Sequence, residues 1–168
     1  NQIKFSVKIL GATIFQVEGY GEEKYLKDQL ISFNSKTLQN DKEKFVSLIF
    51  DKNNNIFKIK GSSYSGEASN DNIVGNWWSH KILQTNSQIS PISGSIKKQV
   101  VTFVGKEKIE QYGKIYDVDH FTLKSKDMTL PKDKRLDFNI WYEQETGQIV
   151  RVSYSRMGNW EYRLKNFE

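Results

Sequence analysis

The amino-acid sequence predicts an all-β protein: an antiparallel curved sheet, folded as a sandwich or an open barrel of about ten to twelve strands. Apolar and polar residues alternate along most of the chain, as expected for strands that bury one face. Turn residues interrupt this alternation about every ten to twelve residues, which is the spacing of antiparallel sandwiches and barrels. With 13% aromatic residues and two Pro among 168 residues, the chain can build a packed core.

The first half of the chain contains several strand-like segments that are separated by polar turns. Residues 45–50 are apolar on both faces, so we expect this strand to be covered on both sides. The Asn tract at 53–55 predicts a turn, because Asn tolerates left-handed backbone geometry. The predicted strand segments here are 3–9, 14–20, 25–26, 30–37, 45–50 and 56–60.

The second half of the chain shows a clearer alternation. Along residues 136–142 the even-numbered positions are apolar, and a hairpin turn follows at 145–147. The predicted strand segments in this half are 98–104, 115–124, 136–142, 150–154 and 160–164.

Residues 61–96 break the pattern and predict a long Ser/Asn/Gly-rich loop. Only three of these 36 residues are charged, and 17 are Ser, Asn or Gly. Loops of this length are usually functional or disordered. We expect at most one short helix here, near residues 73–83, with Asn72 as its N-terminal cap. The whole chain, residues 1–168, is predicted to form one domain around this loop.

Composition excludes several classes of function. The net charge of +5 is spread among alternating signs, and Lys outnumbers Arg 21 to 4, so nucleic-acid binding is not predicted. The absence of Cys excludes thiolate metal sites and thiol catalysis. Two His residues make a zinc site improbable, and neither a metal nor a cofactor is predicted. No apolar run is long enough for a transmembrane segment.

Two adjacent indoles, Trp77 and Trp78, are the first candidate site. They lie in the nearly uncharged loop and cannot both easily point into one core. One of them could pack while the other lines a groove, where an indole stacks on sugars or lipid tails. The favoured interpretation is a lid that closes one end of the sheet, with the nearby His80 as a hydrogen-bonded structural residue.

A carboxylate pair, Asp117 and Asp119, is the second candidate. On a strand the two residues share one face with Cα atoms about 6.5–7 Å apart, a separation that suits glycoside cleavage. His120 points to the opposite face, so the three side chains do not converge on a metal or a triad. A solvated acidic face between Lys residues is the favoured interpretation.

Four stretches of sequence carry a resemblance to a known family. They are residues 25–37 with Asn40 and Asp41, the Trp77-Trp78 pair, residues 139–143 with 147–150, and residues 158–164. This ordered set, spread over most of residues 5–168, resembles a proteobacterial family of exported proteins carrying a domain of unknown function. The resemblance implies an all-β periplasmic protein made with a signal peptide, and supplies no catalytic residues. Members usually begin with an extra strand pair, so N-terminal strands are expected to be missing here.

Three functions remain open, in order of preference. The first is a periplasmic binding or carrier module for a lipid-like or amphiphilic small molecule. The second is an envelope scaffold or protein-interaction domain without a small ligand. The third is a glycan- or ester-acting hydrolase that uses Asp117 and Asp119. A non-enzymatic role is favoured, and the candidate ligand-binding residues are Trp77, Trp78, His80, Trp141 and Tyr142.

Overall fold

The structure is a computed structural model that describes residues 2–9, 12–155 and 159–165, with side chains described for 17–155 and 161–165. These residues contain thirteen β-strands, two short 3₁₀ turns and no α-helix, so the all-β antiparallel prediction is confirmed. Among them, no helix occurs that could span a bilayer. The choice between sandwich and open barrel stays a prediction.

The strands alternate with short turns along the chain, and the two 3₁₀ turns lie at His80–Gln84 and Lys132–Lys134. In chain order the strands are β1 (Gln2–Ile9), β2 (Ala12–Leu26), β3 (Gln29–Gln39), β4 (Lys42–Asp51), β5 (Ile56–Gly61), β6 (Ser65–Ser69), β7 (Ile73–Val74), β8 (Ser87–Ile89), β9 (Ile96–Gln111), β10 (Lys114–Ser125), β11 (Asp137–Glu143), β12 (Ile149–Ser155) and β13 (Asn159–Arg163).

The chain divides into two compact units. The first unit is Asn1–Gly75 with Ile89–Ile96, and the second is Asn76–Gln88 with Lys97–Glu168. In the first unit, β1 to β6 form an antiparallel meander in sequence order. In the second, the antiparallel order β13-β12-β11-β10-β9 again joins sequence neighbours. The prediction of one domain over the whole chain stays a prediction.

The segment 61–96 contains more regular structure than its composition indicated. It holds β6, β7, β8 and the 3₁₀ turn, and residues 73–74 form a strand where a helix was expected. The reason is that a few apolar side chains in this polar segment are buried. They are Ala68, Val74, Ile82 and Ile89, each 5% exposed or less.

The core of the first unit is formed by one face of its sheet. Val46 and Leu48 on β4 are buried and pack with apolar residues of β3, β5 and β6. Ile49, the residue after Leu48, is 60% exposed. The expectation that residues 45–50 are covered on both sides is therefore wrong. An antiparallel sheet can leave one face in water, even where that face carries an apolar side chain such as that of Ile49.

The segment Ile89–Ile96 closes over this core through contacts with β3 and β5. The Ser35 hydroxyl donates to the Pro91 carbonyl at 2.5 Å, and the Ser63 amide donates to the Ser93 carbonyl at 3.0 Å. Gly61 permits the close approach, because a Cβ there would lie 2.6 Å from the Ser93 carbonyl oxygen.

A buried amide network holds the 3₁₀ turn at His80–Gln84. The Gln99 amide nitrogen donates to the carbonyl oxygens of Ile82 and Thr85, both at 2.9 Å. The Gln99 amide oxygen accepts a hydrogen bond of 2.6 Å from Gln88. Gln99 is 2% exposed, so these partners replace the water that its amide loses on burial.

A β-bulge interrupts the pairing of β9 with β10. His120 lies opposite Gly105, but the next residue, Phe121, lies opposite Phe103, which leaves Val104 without a partner on β10. Such a bulge changes which face of the sheet each following residue of the longer strand occupies. The bulge therefore determines which β9 side chains meet the candidate residues of β10 and β11.

A truncation on β4 tests the assignment of the first-unit core. We expect Leu48→Ala to lower the free energy of unfolding by about 3 kcal/mol, since it leaves a cavity among buried side chains. Ile49→Ala is the matched control on the same strand and should cost less than about 1 kcal/mol. Urea denaturation measures both; equal losses would contradict the assigned faces.

Candidate functional site

The five predicted ligand-binding residues all lie in the second unit, but on two faces of its sheet. Along β11 the residues Phe138, Ile140 and Tyr142 are buried, while Trp141 is on the opposite face and is half-buried. Trp77 and His80 contact the buried face. The structure therefore groups Trp77, Trp78, His80 and Tyr142, and separates Trp141 from them.

The two adjacent indoles have different environments. The Trp77 ring packs edge-on against Phe138, with centroids 5.1 Å apart and planes at 61°. The Trp78 side chain is 63% exposed and meets the ring of Tyr162 at 5.7 Å and 84°. The Trp78 amide donates to the Asn76 side chain at 2.9 Å, which fixes the turn between the two rings. Trp78 thus presents most of its indole to solvent.

Tyr142 connects the Trp77 turn to the sheet. Its side chain is 4% exposed, and its hydroxyl donates to the Trp77 carbonyl oxygen at 2.8 Å. Burial raises the pKa of Tyr142 well above its usual range, because the phenolate would lose its hydration. Tyr142 is therefore a neutral donor that positions the turn, and its side chain presents little surface to a ligand.

His80 packs against Tyr142 and reaches the hairpin after β11. Its ring lies 4.6 Å from the Tyr142 ring at 81°, and its Nε2 is 2.7 Å from the Gly147 carbonyl oxygen. Gly147 has φ +68°, and a Cβ there would lie 2.7 Å from His80 Cε1. The imidazole is thus held by one hairpin, a positioning role like the structural alternative given above.

Trp141 belongs to a polar network on the other face of the sheet. Its Nε1 donates to Glu107 Oε1 at 2.6 Å, and the His120 ring stacks on the indole at 4.4 Å and 17°. The Arg151 guanidinium lies 5.6 Å from the indole centroid. The Nδ1 of His120 is 3.1 Å from the same Glu107 oxygen, and its Nε2 is 3.0 Å from Asn139 Oδ1.

The sequence patterns missed this network, although Trp141 itself was selected. Trp141 lies opposite His120 on β10 and opposite Arg151 on β12, so the cluster follows from strand register. Arg151 in turn lies 3.1 Å from Glu161 Oε1 on β13. Residues on five strands, β9 to β13, meet here, and no single stretch of sequence contains more than one or two of them.

Asp117 and Asp119 each lie beside a lysine of the neighbouring strand. Asp117 Oδ1 is 3.3 Å from Lys108 Nζ, and Asp119 Oδ1 is 3.9 Å from Lys106 Nζ. Their side chains are 59% and 33% exposed. His120 is on the opposite face of β10, with Trp141. The pair is thus neutralised by cross-strand partners, and the hydrolase alternative stays a prediction.

In the described residues, no group of three or more His, Cys, Asp or Glu side chains is arranged to hold a metal ion. An open depression of about 250 Å³ lies on the first unit, where Lys36 and Glu43 form an ion pair of 3.7 Å. It contains none of the predicted residues and is lined by Glu18, Gly19, Tyr20, Lys36, Thr37, Leu38 and Glu43.

Removal of one hydroxyl tests the role of Tyr142. Tyr142→Phe keeps the buried ring but leaves the Trp77 carbonyl without this donor, so we expect a loss of about 1–2 kcal/mol in unfolding free energy. Tyr112→Phe, at a ring that is 66% exposed, is the control and should change stability by less than about 0.5 kcal/mol. Wild-type stability of Tyr142→Phe would contradict the positioning role.

A pair of glycine variants separates contact with His80 from backbone strain. Gly147 and Gly113 have φ +68° and +77°, so each change to Ala should cost about 1–2 kcal/mol from left-handed geometry alone. A Cβ at Gly113 meets nothing within 4 Å, whereas one at Gly147 meets His80. We expect Gly147→Ala to have a lower melting temperature than Gly113→Ala and to shift the His80 ring proton resonances. Equal melting temperatures would argue against the His80 contact.

Comparison with known proteins identifies the family but no characterised relative. Neither the curated proteins nor the solved structures that were compared gave a match. A family model described as domain of unknown function (DUF6134) matches residues 1–165, which is nearly the whole chain. The chain therefore belongs to the DUF6134 family of proteins with a domain of unknown function.

Proposed function

We propose that this protein is a non-enzymatic binding module that holds an amphiphilic small molecule against the exposed indole of Trp78 and the ring of Tyr162. The periplasm is the proposed compartment, and that part rests on the family resemblance alone. The ligand class is the one expected from the sequence, and the contact surface is the exposed pair of aromatic rings.

The exposure of Trp78 is the observation that carries the proposal. An indole that is 63% exposed leaves a large apolar surface in water, and contact with a ligand would remove this surface from water. Tyr162, 38% exposed, stands nearly perpendicular to it at 5.7 Å, so the two rings offer a corner rather than a flat surface. Aromatic rings of this kind are common anchors of binding sites.

The corner is supported by packed residues, which favours binding over mere exposure. The neighbouring Trp77 is fixed by Phe138 on one side and by the Tyr142 hydroxyl at its carbonyl. The Asn76 side chain holds the Trp78 amide. A contact surface that is already ordered loses less conformational entropy when a ligand binds.

The chemistry around Trp78 favours an amphiphile over a charged ligand. Between Asp71 and Lys81 the segment contains no Lys, Arg, Asp or Glu, and Asn76 and Ser79 place an amide and a hydroxyl beside the indole in sequence. Such a surface suits a molecule with one apolar face and a neutral polar part. Sugar derivatives and neutral lipids have this character.

The scaffold alternative finds less support at the edge of the first sheet. Strand addition needs free backbone groups on an edge strand. At β6 the Tyr64 hydroxyl donates to the Glu67 carbonyl at 2.8 Å, and the Asn72 amide donates to the Ser69 carbonyl at 3.0 Å. These carbonyl groups already have partners, so a second chain would have to displace them.

A monomeric detergent provides the test of the proposal. We expect dodecyl maltoside, below its micelle concentration, to shift the indole N–H resonance of Trp78 and to saturate. Trp78→Ala should weaken the binding at least about tenfold, because it removes the main apolar contact. Trp78→Phe should retain part of the affinity.

Tyr112→Ala is the matched control, since Tyr112 is also an exposed aromatic residue of the second unit, 66% exposed. It should bind dodecyl maltoside as the wild type does. A shift that never saturates, or a Trp78→Ala variant with wild-type affinity, would refute the proposal.

A further inference from the structure

Basic residues that are spread over the sequence between 97 and 135 meet at one end of the second-unit sheet. The Lys126 amide donates to the Lys98 carbonyl at 3.0 Å, which joins the end of β10 to the start of β9. The Lys97 Nζ donates to the Lys134 carbonyl at 3.2 Å, which adds the 3₁₀ turn at Lys132–Lys134. We call this region the basic end; its basic residues are Lys97, Lys98, Lys124, Lys126, Lys132, Lys134 and Arg135.

The basic end holds most of the excess charge of the chain. Its seven basic side chains are accompanied by three acidic ones, Asp127, Asp133 and Asp137, which leaves +4, while the whole chain carries +5. Within the part of the chain that the structure describes, five of the lysines form no ion pair: Lys98, Lys124, Lys126, Lys132 and Lys134.

An ordered loop presents an apolar side chain among these charges. Met128 is 56% exposed at the loop that connects Lys126 to Lys132. The Asp127 carboxylate accepts hydrogen bonds from the Thr129 amide at 2.8 Å and hydroxyl at 2.6 Å. These bonds hold the pKa of Asp127 below its usual range and fix the turn around Met128. Arg135 Nε donates to the Leu130 carbonyl at 2.6 Å and closes the loop.

We propose that the basic end docks on an anionic lipid surface, with Met128 entering the interface between head groups and acyl chains. Six of the seven cations are Lys, whose ammonium is a point charge suited to diffuse attraction by many lipid phosphates. Bidentate reading of individual phosphates, as on a nucleic acid, favours Arg instead. An apolar residue amid basic ones is the combination that binds membrane surfaces.

Co-sedimentation with lipid vesicles tests this proposal on the full chain. We expect binding to vesicles in which phosphatidylglycerol replaces about a third of the phosphatidylcholine, and none to phosphatidylcholine alone. The binding should fall steeply when salt is raised to about 0.5 M, because the charges are then screened. The triple variant Lys126→Glu, Lys132→Glu, Lys134→Glu should weaken it on the order of 100-fold. Met128→Ser should weaken it several-fold at constant charge.

A second triple variant controls for net charge. Lys42→Glu, Lys52→Glu and Lys60→Glu change exposed lysines of the first unit by the same total charge and should leave most of the vesicle binding intact. Equal binding to both kinds of vesicle, or equal loss in the two triple variants, would overturn the proposal. The proposal would also be overturned if a soluble polyphosphate bound the wild type as tightly as the anionic vesicles do and Met128→Ser did not change vesicle binding.

Discussion

The register of β10 between β9 and β11 is the constraint on which the described sites of the second unit depend. Pairing places His120 opposite Trp141, Asp117 opposite Lys108, and Lys124 opposite both Val100 and Asp137. Because side chains alternate between faces, a slip by one residue would move each of them to the other side of the sheet. Hydrophobic side chains are buried on both faces of this strand set, Leu123 and Ile140 on one face and Val118 on the other, and their removal from water favours this register.

Local pattern predicted the elements well where one face is buried and the strand is long. The alternation at 136–142 identified the buried residues of β11, and the opposite orientations of Asp117 and His120 followed from the same period. Pattern failed at 61–96, where strands of two to five residues are too short to show a period and only single apolar side chains are buried. It also failed at residues 45–50, since an apolar residue in sequence does not reveal whether another layer covers it.

The functional features depended on contacts that a single sequence does not encode locally. Nothing near Trp141 in the chain indicates that Glu107 and Arg151 flank its ring, because those residues arrive through pairing with other strands. The same holds for charge. Along the sequence the lysines alternate with acids and resemble an ordinary solvated surface, whereas the fold collects three separated groups of them at one end of a sheet. Register thus converts a dilute charge pattern into a local field.

Because of the bulge at Val104, residues an even number of positions apart in the two halves of β9 lie on opposite faces of the sheet. Gln99 and Gln111 are an even number of residues apart. On one face of the sheet Gln99 donates to the 3₁₀ turn at His80–Gln84, and on the other face Gln111 donates to the Val150 and Leu164 carbonyls. A regular strand would aim both amides the same way. Deleting one residue near position 104 would therefore remove the bulge. Gln99 and Gln111 would then face the same side of the sheet, and one of the two would lie on the wrong side for its partners. Homologues with insertions or deletions in β9 should therefore gain or lose residues in numbers that keep these two positions on opposite faces.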